Sequence, residues 1–120
     1  MLKLVVNNAY CDKNKIFDFV ELKAPELAQH ALSFLDGGSW ENLRKTCAIQ
    51  LMGWWRLDPV ESTEPANDYE SAYWHLLFSI ERYSLETILT NSFLQHQIRE
   101  VSEYLLGDGA LPPFVHGIRP

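Results

Sequence analysis

The sequence predicts an all-α domain, and three observations support this fold class. Residues 66–106 are 41 consecutive positions without glycine or proline, and their apolar residues recur at the three- and four-residue steps of amphipathic helices. Residues 40–56 show the same spacing directly after a serine, which is a preferred helix N-cap. A chain of 120 residues has the usual length of one domain with its own core.

We therefore expect residues 1–120 to form a single helical domain, a compact bundle of about five helices with an extended C-terminal tail. A short N-terminal strand is possible, because apolar residues alternate over residues 2–6, although a helix there is equally compatible with the pattern. In the tail, prolines exclude a helix, but the segment is apolar enough to lie along the bundle through Leu111, Phe114, Val115 and Ile118.

The stretch of residues 66–106 would be about 60 Å long as one helix, too long for a domain of this size. Asp68 is the expected N-cap of its first helix. The apolar face of the stretch changes near Ser84 and again near Ser92, which predicts two or three helices with very short turns. An alternative interpretation carries one helix through Ser84 and breaks it only at residues 90–92.

The first half of the chain predicts a helix over residues 13–22 and a second helix that starts at Pro25, where the missing N–H costs nothing. Gly37 and Gly38 end that helix, and Ser39 caps the next one, so the two form an αα-hairpin. Core positions are expected on the apolar side of the periodic segments: Leu51, Leu76, Leu77, Ile80 and Ile98.

The net charge of −6 comes entirely from the second half of the chain. Residues 1–60 hold seven bases and seven acids, whereas residues 61–120 hold three bases and nine acids. Nucleic-acid binding needs clustered lysine and arginine to neutralise phosphates, so no nucleic-acid partner is expected. The imbalance favours a basic protein partner, although an acidic surface that only keeps the protein in solution is the more common situation.

The acids concentrate in residues 58–70, and aromatic residues lie within and directly after this segment. Tyrosine and tryptophan dominate interface energetics, and carboxylates around them speed the approach of a basic protein. The predicted partner-binding residues are Asp58, Glu61, Glu64, Asp68, Tyr69, Glu70, Tyr73 and Trp74. A solvated loop beside an aromatic core explains the same pattern equally well.

No catalytic motif is present, and we expect neither an enzyme nor a cofactor. Cys47 lies on an apolar stripe and is expected to be a small buried hydrophobe rather than a nucleophile. His96, Glu100 and Glu103 share one helical face and could hold a metal, but one helix rarely completes a metal site, so a solvated polar face is the better interpretation.

In overall character the chain resembles the small immunity proteins of bacterial toxin systems, which block a toxin in the cytosol with a negatively charged surface. The resemblance is one of type over the whole chain, and no motif carries it. It implies a cytoplasmic inhibitor whose partner is a basic toxin domain. Two cysteines without motif spacing and the lack of an apolar run of about 18 residues agree with a cytosolic protein outside the membrane. The alternatives are a helical adaptor or regulatory subunit, and a small metal-binding protein.

Overall fold

The computed structural model describes residues 13–57 and 67–115, and the segments predicted to be helical within these ranges are helical. The helices are α1 (Lys13–Leu35), α2 (Trp40–Leu57), α3 (Asp68–Arg82), α4 (Leu85–Leu89) and α5 (Ser92–Leu105), followed by a 3-10 turn at Pro113–Val115. Within these two ranges there is no strand. The all-α bundle of about five helices is thus confirmed, while residues 2–6 and Ile118 lie outside the described residues.

The helices pack as a bundle in which α1 and α3 separate α2 from α5. Helices α1 and α2 form the predicted antiparallel hairpin, with Lys23 beside Gln50 and Phe19 beside Gly53. Helix α1 also packs along α5, and α3 packs against both α2 and α5. Helices α2 and α5 therefore lie on either side of the α1–α3 pair, and we refer to an α1–α2 edge and an α3–α5 edge.

Helix α1 is one continuous helix, and the predicted break before Pro25 was wrong. A proline inside a helix loses one backbone hydrogen bond and costs about 3 kcal/mol. The helix nevertheless continues because its apolar stripe runs unbroken past the proline, and burying each large aliphatic side chain stabilises by about 1.5–3 kcal/mol. The fully buried members of that stripe are Val20, Ala24, Leu27, Ala28 and Ala31.

Both breaks suggested for residues 66–106 occur, so this stretch forms three helices. Ser84 caps α4 by accepting a hydrogen bond from the Thr87 N–H at 3.2 Å, as predicted. The cap of α5 is Asn91 rather than Ser92, since the Asn91 side chain accepts from the Leu94 N–H at 3.1 Å.

The start of α3 requires a similar correction. Asn67, in extended conformation, accepts from the Glu70 N–H at 2.9 Å and is the N-cap. Asp68, which the sequence indicated as the cap, is the first helical residue. Its carboxylate still lies at the positive end of the helix dipole, where an acid is favourable.

Four of the five predicted core residues are confirmed: Leu76, Leu77, Ile80 and Ile98 are buried. Leu51 is only half-buried, because the neighbouring Gln50 occupies the position that faces the core.

The tail packs against the bundle as expected, with Val115 buried and Leu111 and Phe114 against the core. A single 3-10 turn forms at Pro113–Val115 although the prolines were expected to exclude helix. Proline is tolerated there because the first residues of a helical turn need no N–H donor.

The buried position of Ile80 leads to a stability prediction. Ile80→Ala should lower the free energy of unfolding by about 2–5 kcal/mol, because truncation leaves a cavity in a close-packed core. Chemical denaturation followed by circular dichroism measures this loss. Leu89→Ala, at an exposed position of α4, is the control and should change stability by no more than about 0.5 kcal/mol. A loss under half a kcal/mol for Ile80→Ala would contradict the packing of α3.

Candidate protein-binding surface

The structure divides the predicted partner-binding residues into three groups. Asp58, Glu61 and Glu64 lie outside the described residues. Asp68 and Tyr69 reach the surface at the start of α3, where Asp68 is exposed and Tyr69 is half-buried. Glu70, Tyr73 and Trp74 are at most 3 % exposed. The prediction that these last three form part of a contact surface therefore needs correction, since a docking protein cannot reach side chains that are buried in the bundle.

Tyr73 is buried because it belongs to a polar network that connects three helices. Its hydroxyl donates to Gln50 Oε1 at 2.9 Å. Gln50 Nε2 in turn donates to the Lys23 carbonyl at 3.1 Å and approaches Glu26 Oε1 at 3.4 Å. Burial is the main reason that the pKa of Tyr73 is raised, so its hydroxyl stays a protonated donor.

Trp74 is buried in an aromatic cluster between α2 and α3. Its ring meets Trp54 edge-on, with ring centroids 4.1 Å apart, and stacks on Phe78 at 4.8 Å. Such pairs add about 0.5–1.5 kcal/mol beyond the area that they bury. The aromatic residues after the acidic segment thus hold α2 and α3 together.

Tyr69 has different surroundings, because it lies where α1, α3 and α5 meet at the surface. Its hydroxyl donates to the Leu105 carbonyl at 3.2 Å, near the end of α5. Its ring lies 6.2 Å from the ring of Tyr104. The pKa of Tyr69 is raised, first by burial and then by the negative charge of Glu21 on α1. An acid from a third helix therefore lies near enough to Tyr69 to act on its hydroxyl.

Two further carboxylates lie on α5 within one turn of Tyr104. Glu100 and Glu103 precede it by one turn or less and line a recess of about 220 Å³ against residues 109–113. Glu100 is also paired with His96, Nε2 to Oε2 at 2.9 Å. We name the combined region the acidic–aromatic surface; its members are Glu21, Asp68, Tyr69, Glu100, Glu103 and Tyr104.

The two arginines of α3 and α5 do not neutralise the acidic–aromatic surface. Arg82 is in the last turn of α3, about 21 Å along the helix from Asp68. Arg99 binds Asp36 at the end of α1, with 3.1 Å between Nη2 and Oδ1. The acidic–aromatic surface thus combines a cluster of carboxylates with two partly accessible tyrosines.

Sequence reasoning missed Glu21 and Tyr104 and assigned Glu100 and Glu103 a different role. Glu21 and Tyr104 are distant from Tyr69 in the chain, and only the packing of α1, α3 and α5 brings them together. One signal was available in the sequence: Glu103 follows Glu100 after three residues and Tyr104 follows it after four, at the end of a helix.

The described residues offer little for metal or thiol chemistry. No three metal-ligating side chains are grouped within residues 13–57 and 67–115, and the His96–Glu100 pair stands by itself there. Cys47 is fully buried, as predicted, and its thiol contacts the Leu77 carbonyl at 3.5 Å. Burial, reinforced by Glu81, raises the pKa of Cys47 to about 12.

The Gln50–Tyr73 hydrogen bond leads to a second stability prediction. Gln50→Met keeps the volume but leaves the Tyr73 hydroxyl and the Lys23 carbonyl without this partner, so it should cost about 1–3 kcal/mol of unfolding free energy. In a double-mutant cycle with Tyr73→Phe, the two losses of unfolding free energy should be less than additive by roughly 0.5 kcal/mol or more, because both substitutions remove the same hydrogen bond. Additive losses would show that the two side chains do not interact.

The buried thiol leads to a labelling prediction in a Cys11→Ser variant, where Cys47 is the one cysteine left. At pH 8 a thiol reagent should modify Cys47 only as fast as the protein unfolds, because the thiol is inaccessible and protonated. The protonated thiol contributes fully to the stability of the native state below pH 9.0, the pKa of a cysteine in the unfolded chain. This contribution to the free energy of unfolding is lost as the pH rises towards about 12, the pKa of Cys47 in the folded protein. Labelling in native buffer at the rate of the unfolded chain would contradict the buried position.

None of the helices within the described ranges is long and apolar enough to cross a membrane. Comparison of the chain with protein-family models, with curated proteins and with solved structures finds no match. The function of this protein therefore has to be inferred from its own surfaces.

Proposed function

We propose that this protein is a non-catalytic inhibitor that binds a basic protein partner through its acidic–aromatic surface. The observation that carries the proposal is the position of Tyr69 and Tyr104 among carboxylates from three helices. Tyrosines supply the contact area that dominates binding energy, while the surrounding charges select a basic partner and accelerate its approach.

The partner class that fits best is a bacterial toxin domain that acts on nucleic acid. Such a toxin must carry a cationic cleft to hold phosphates, and an acidic surface with projecting aromatic groups can occlude that cleft. The charge imbalance of the second half of the chain supports this choice, as does the resemblance in type to immunity proteins. On this proposal the protein acts in the cytoplasm of the cell that it protects.

The first experiment tests the function itself. An immunity gene is expected directly after the gene of the protein that carries the toxin, so the toxin domain encoded immediately upstream is produced in a bacterial host with and without this protein. Growth should stop with the toxin domain alone and recover on co-expression, and the two purified proteins should form a complex. Failure to restore growth, or the absence of a toxic product upstream, would contradict the proposal.

The second experiment tests the surface, by kinetics with the same toxin domain. Changing Glu21, Glu100 and Glu103 together to lysine should slow association by about tenfold or more at low salt, because it reverses the field that steers a basic partner. The difference should shrink at 1 M salt, where the Debye length falls to about 3 Å. Glu70 is left unchanged because a lysine at that buried position would disturb folding.

The matched control changes Glu41, Glu81 and Glu86 to lysine, which alters the net charge equally at exposed positions on α2, the end of α3 and α4. This control should keep most of the association rate. Equal slowing in both variants would mean that only net charge matters. An unaffected rate in the Glu21, Glu100 and Glu103 variant would place the interface elsewhere.

A further inference from the structure

A second surface of opposite character lies on the α1–α2 edge of the bundle, away from the acidic–aromatic surface. It is a cleft of about 330 Å³ between the first part of α1 and the last part of α2. The antiparallel pairing of the helices sets the order of its lining residues, with Arg56 towards one end and Lys23 towards the other. Between them are Phe19, Ile49, Met52 and Gly53. We name it the basic–apolar cleft.

Gly53 has a specific structural role in this cleft. A Cβ atom at position 53 would lie 2.8 Å from Cζ of Phe19, so only glycine lets the Phe19 ring pack directly on the backbone of α2. Glycine inside a helix costs about 1 kcal/mol relative to alanine. The close contact offsets this cost, and it makes the Phe19 ring one side of an apolar surface that is open to solvent.

The apolar residues of the cleft are incompletely covered by the described chain. Ile49 is 56 % exposed and Met52 is 60 % exposed. Small-molecule sites bury about 70–90 % of the surface of their ligand. A cleft in which two of the lining residues are themselves more than half exposed cannot enclose a small molecule to that extent. An amphipathic helix needs to bury only one face, and methionine adapts well to such contacts.

The charges around the cleft indicate what kind of helix fits it. On the exposed side of α2, Lys45, Ile49, Met52 and Arg56 follow one another at steps of four, three and four residues, so two cations flank two apolar residues over about 16 Å. Lys23 adds a third cation from α1. Among the described residues, two acids are near: Glu26 contacts Gln50 at 3.4 Å, and Glu41 lies one turn before Lys45. The described residues that line the cleft include Lys23 and Arg56 but no carboxylate, on a protein whose net charge is −6.

We propose that the basic–apolar cleft binds an amphipathic helix of a partner protein, one whose apolar face is flanked by aspartate or glutamate. Charge complementarity selects this occupant, because cations bracket the apolar stripe at both ends. An anionic bilayer is disfavoured, since the acidic remainder of the protein is repelled by it. The inference goes beyond the proposed inhibitor function, because it concerns another surface and another class of partner.

The experiment uses two synthetic helical peptides of 18 residues with the same leucine stripe, flanked by glutamate in one and by lysine in the other. Binding to the 120-residue chain is followed by NMR chemical-shift changes and fluorescence anisotropy. The acidic peptide should bind about tenfold or more tightly than the basic one at low salt, with shifts centred on Phe19, Ile49 and Met52. No binding of the acidic peptide at about 1 mM, or equal binding of both peptides, would overturn the proposal.

Variants separate the apolar and the charged contributions. Ile49→Ser with Met52→Ser should abolish binding, and both side chains are exposed enough for the fold to survive. The matched control is Leu89→Ser with Phe93→Ser, a pair that is 59 % and 66 % exposed on α4 and α5, and it should bind like the unchanged protein. Lys23→Glu with Arg56→Glu should reverse the preference between the two peptides. A control pair that weakens binding as much as the cleft pair would overturn the proposal.

A membrane is the remaining alternative occupant, and phosphatidylglycerol vesicles test it directly. The protein should stay in the supernatant when these vesicles are sedimented. Co-sedimentation that Ile49→Ser with Met52→Ser abolishes would assign the cleft to a lipid surface and overturn the helix proposal.

Discussion

The buried amide of Gln50 is the interaction on which the arrangement of the first three helices depends. It accepts from Tyr73 on α3 and donates to the Lys23 carbonyl on α1, so one side chain of α2 binds two other helices. A buried amide left without partners costs several kcal/mol, and these bonds therefore permit one rotation of α2 about its axis. That rotation turns Leu43, Cys47 and Trp54 inward and leaves Ile49 and Met52 on the outside. The core and the basic–apolar cleft are two consequences of one constraint.

The length of α1 is the second determinant, because this helix touches both edges of the bundle. Had it ended before Pro25, its first part could have packed independently of its second. As a continuous helix it holds Phe19 against Gly53 at the α1–α2 edge and presents Glu21 towards Tyr69 at the α3–α5 edge. Its C-terminal end is held by Asp36, which binds Arg99 of α5. Helices position surface groups more reproducibly than loops do, so the helical residues of both surfaces are held in defined positions.

The fold separates charges that the sequence mixes along α1. Glu21 and Lys23 are two residues apart and therefore point to different sides of the helix. Glu21 belongs to the acidic–aromatic surface around Tyr69, and Lys23 lines the basic–apolar cleft together with Arg56. A protein with oppositely charged surfaces on opposite edges can hold two partners of different chemistry at once. If the acidic–aromatic surface is occupied as we propose, the second edge stays free.

The all-α class, most helix boundaries and the core positions of α3 could be predicted from the sequence, because apolar periodicity and capping residues are local properties of the chain. Leu76, Leu77 and Ile80 could be assigned in this way, as could the cap at Ser84. That α1 passes through Pro25 could not be predicted in this way, because the free energy of burying its apolar stripe depends on contacts with α2 and α5. The same holds for the candidate site. Tyr73 and Trp74 are of residue types that are common at interfaces, but they are buried by packing against Gln50 and Trp54. Tyr69, in contrast, stays near the surface and contacts Tyr104. Which aromatic residues reach solvent depends on contacts between distant segments, and such contacts are a property of the folded chain.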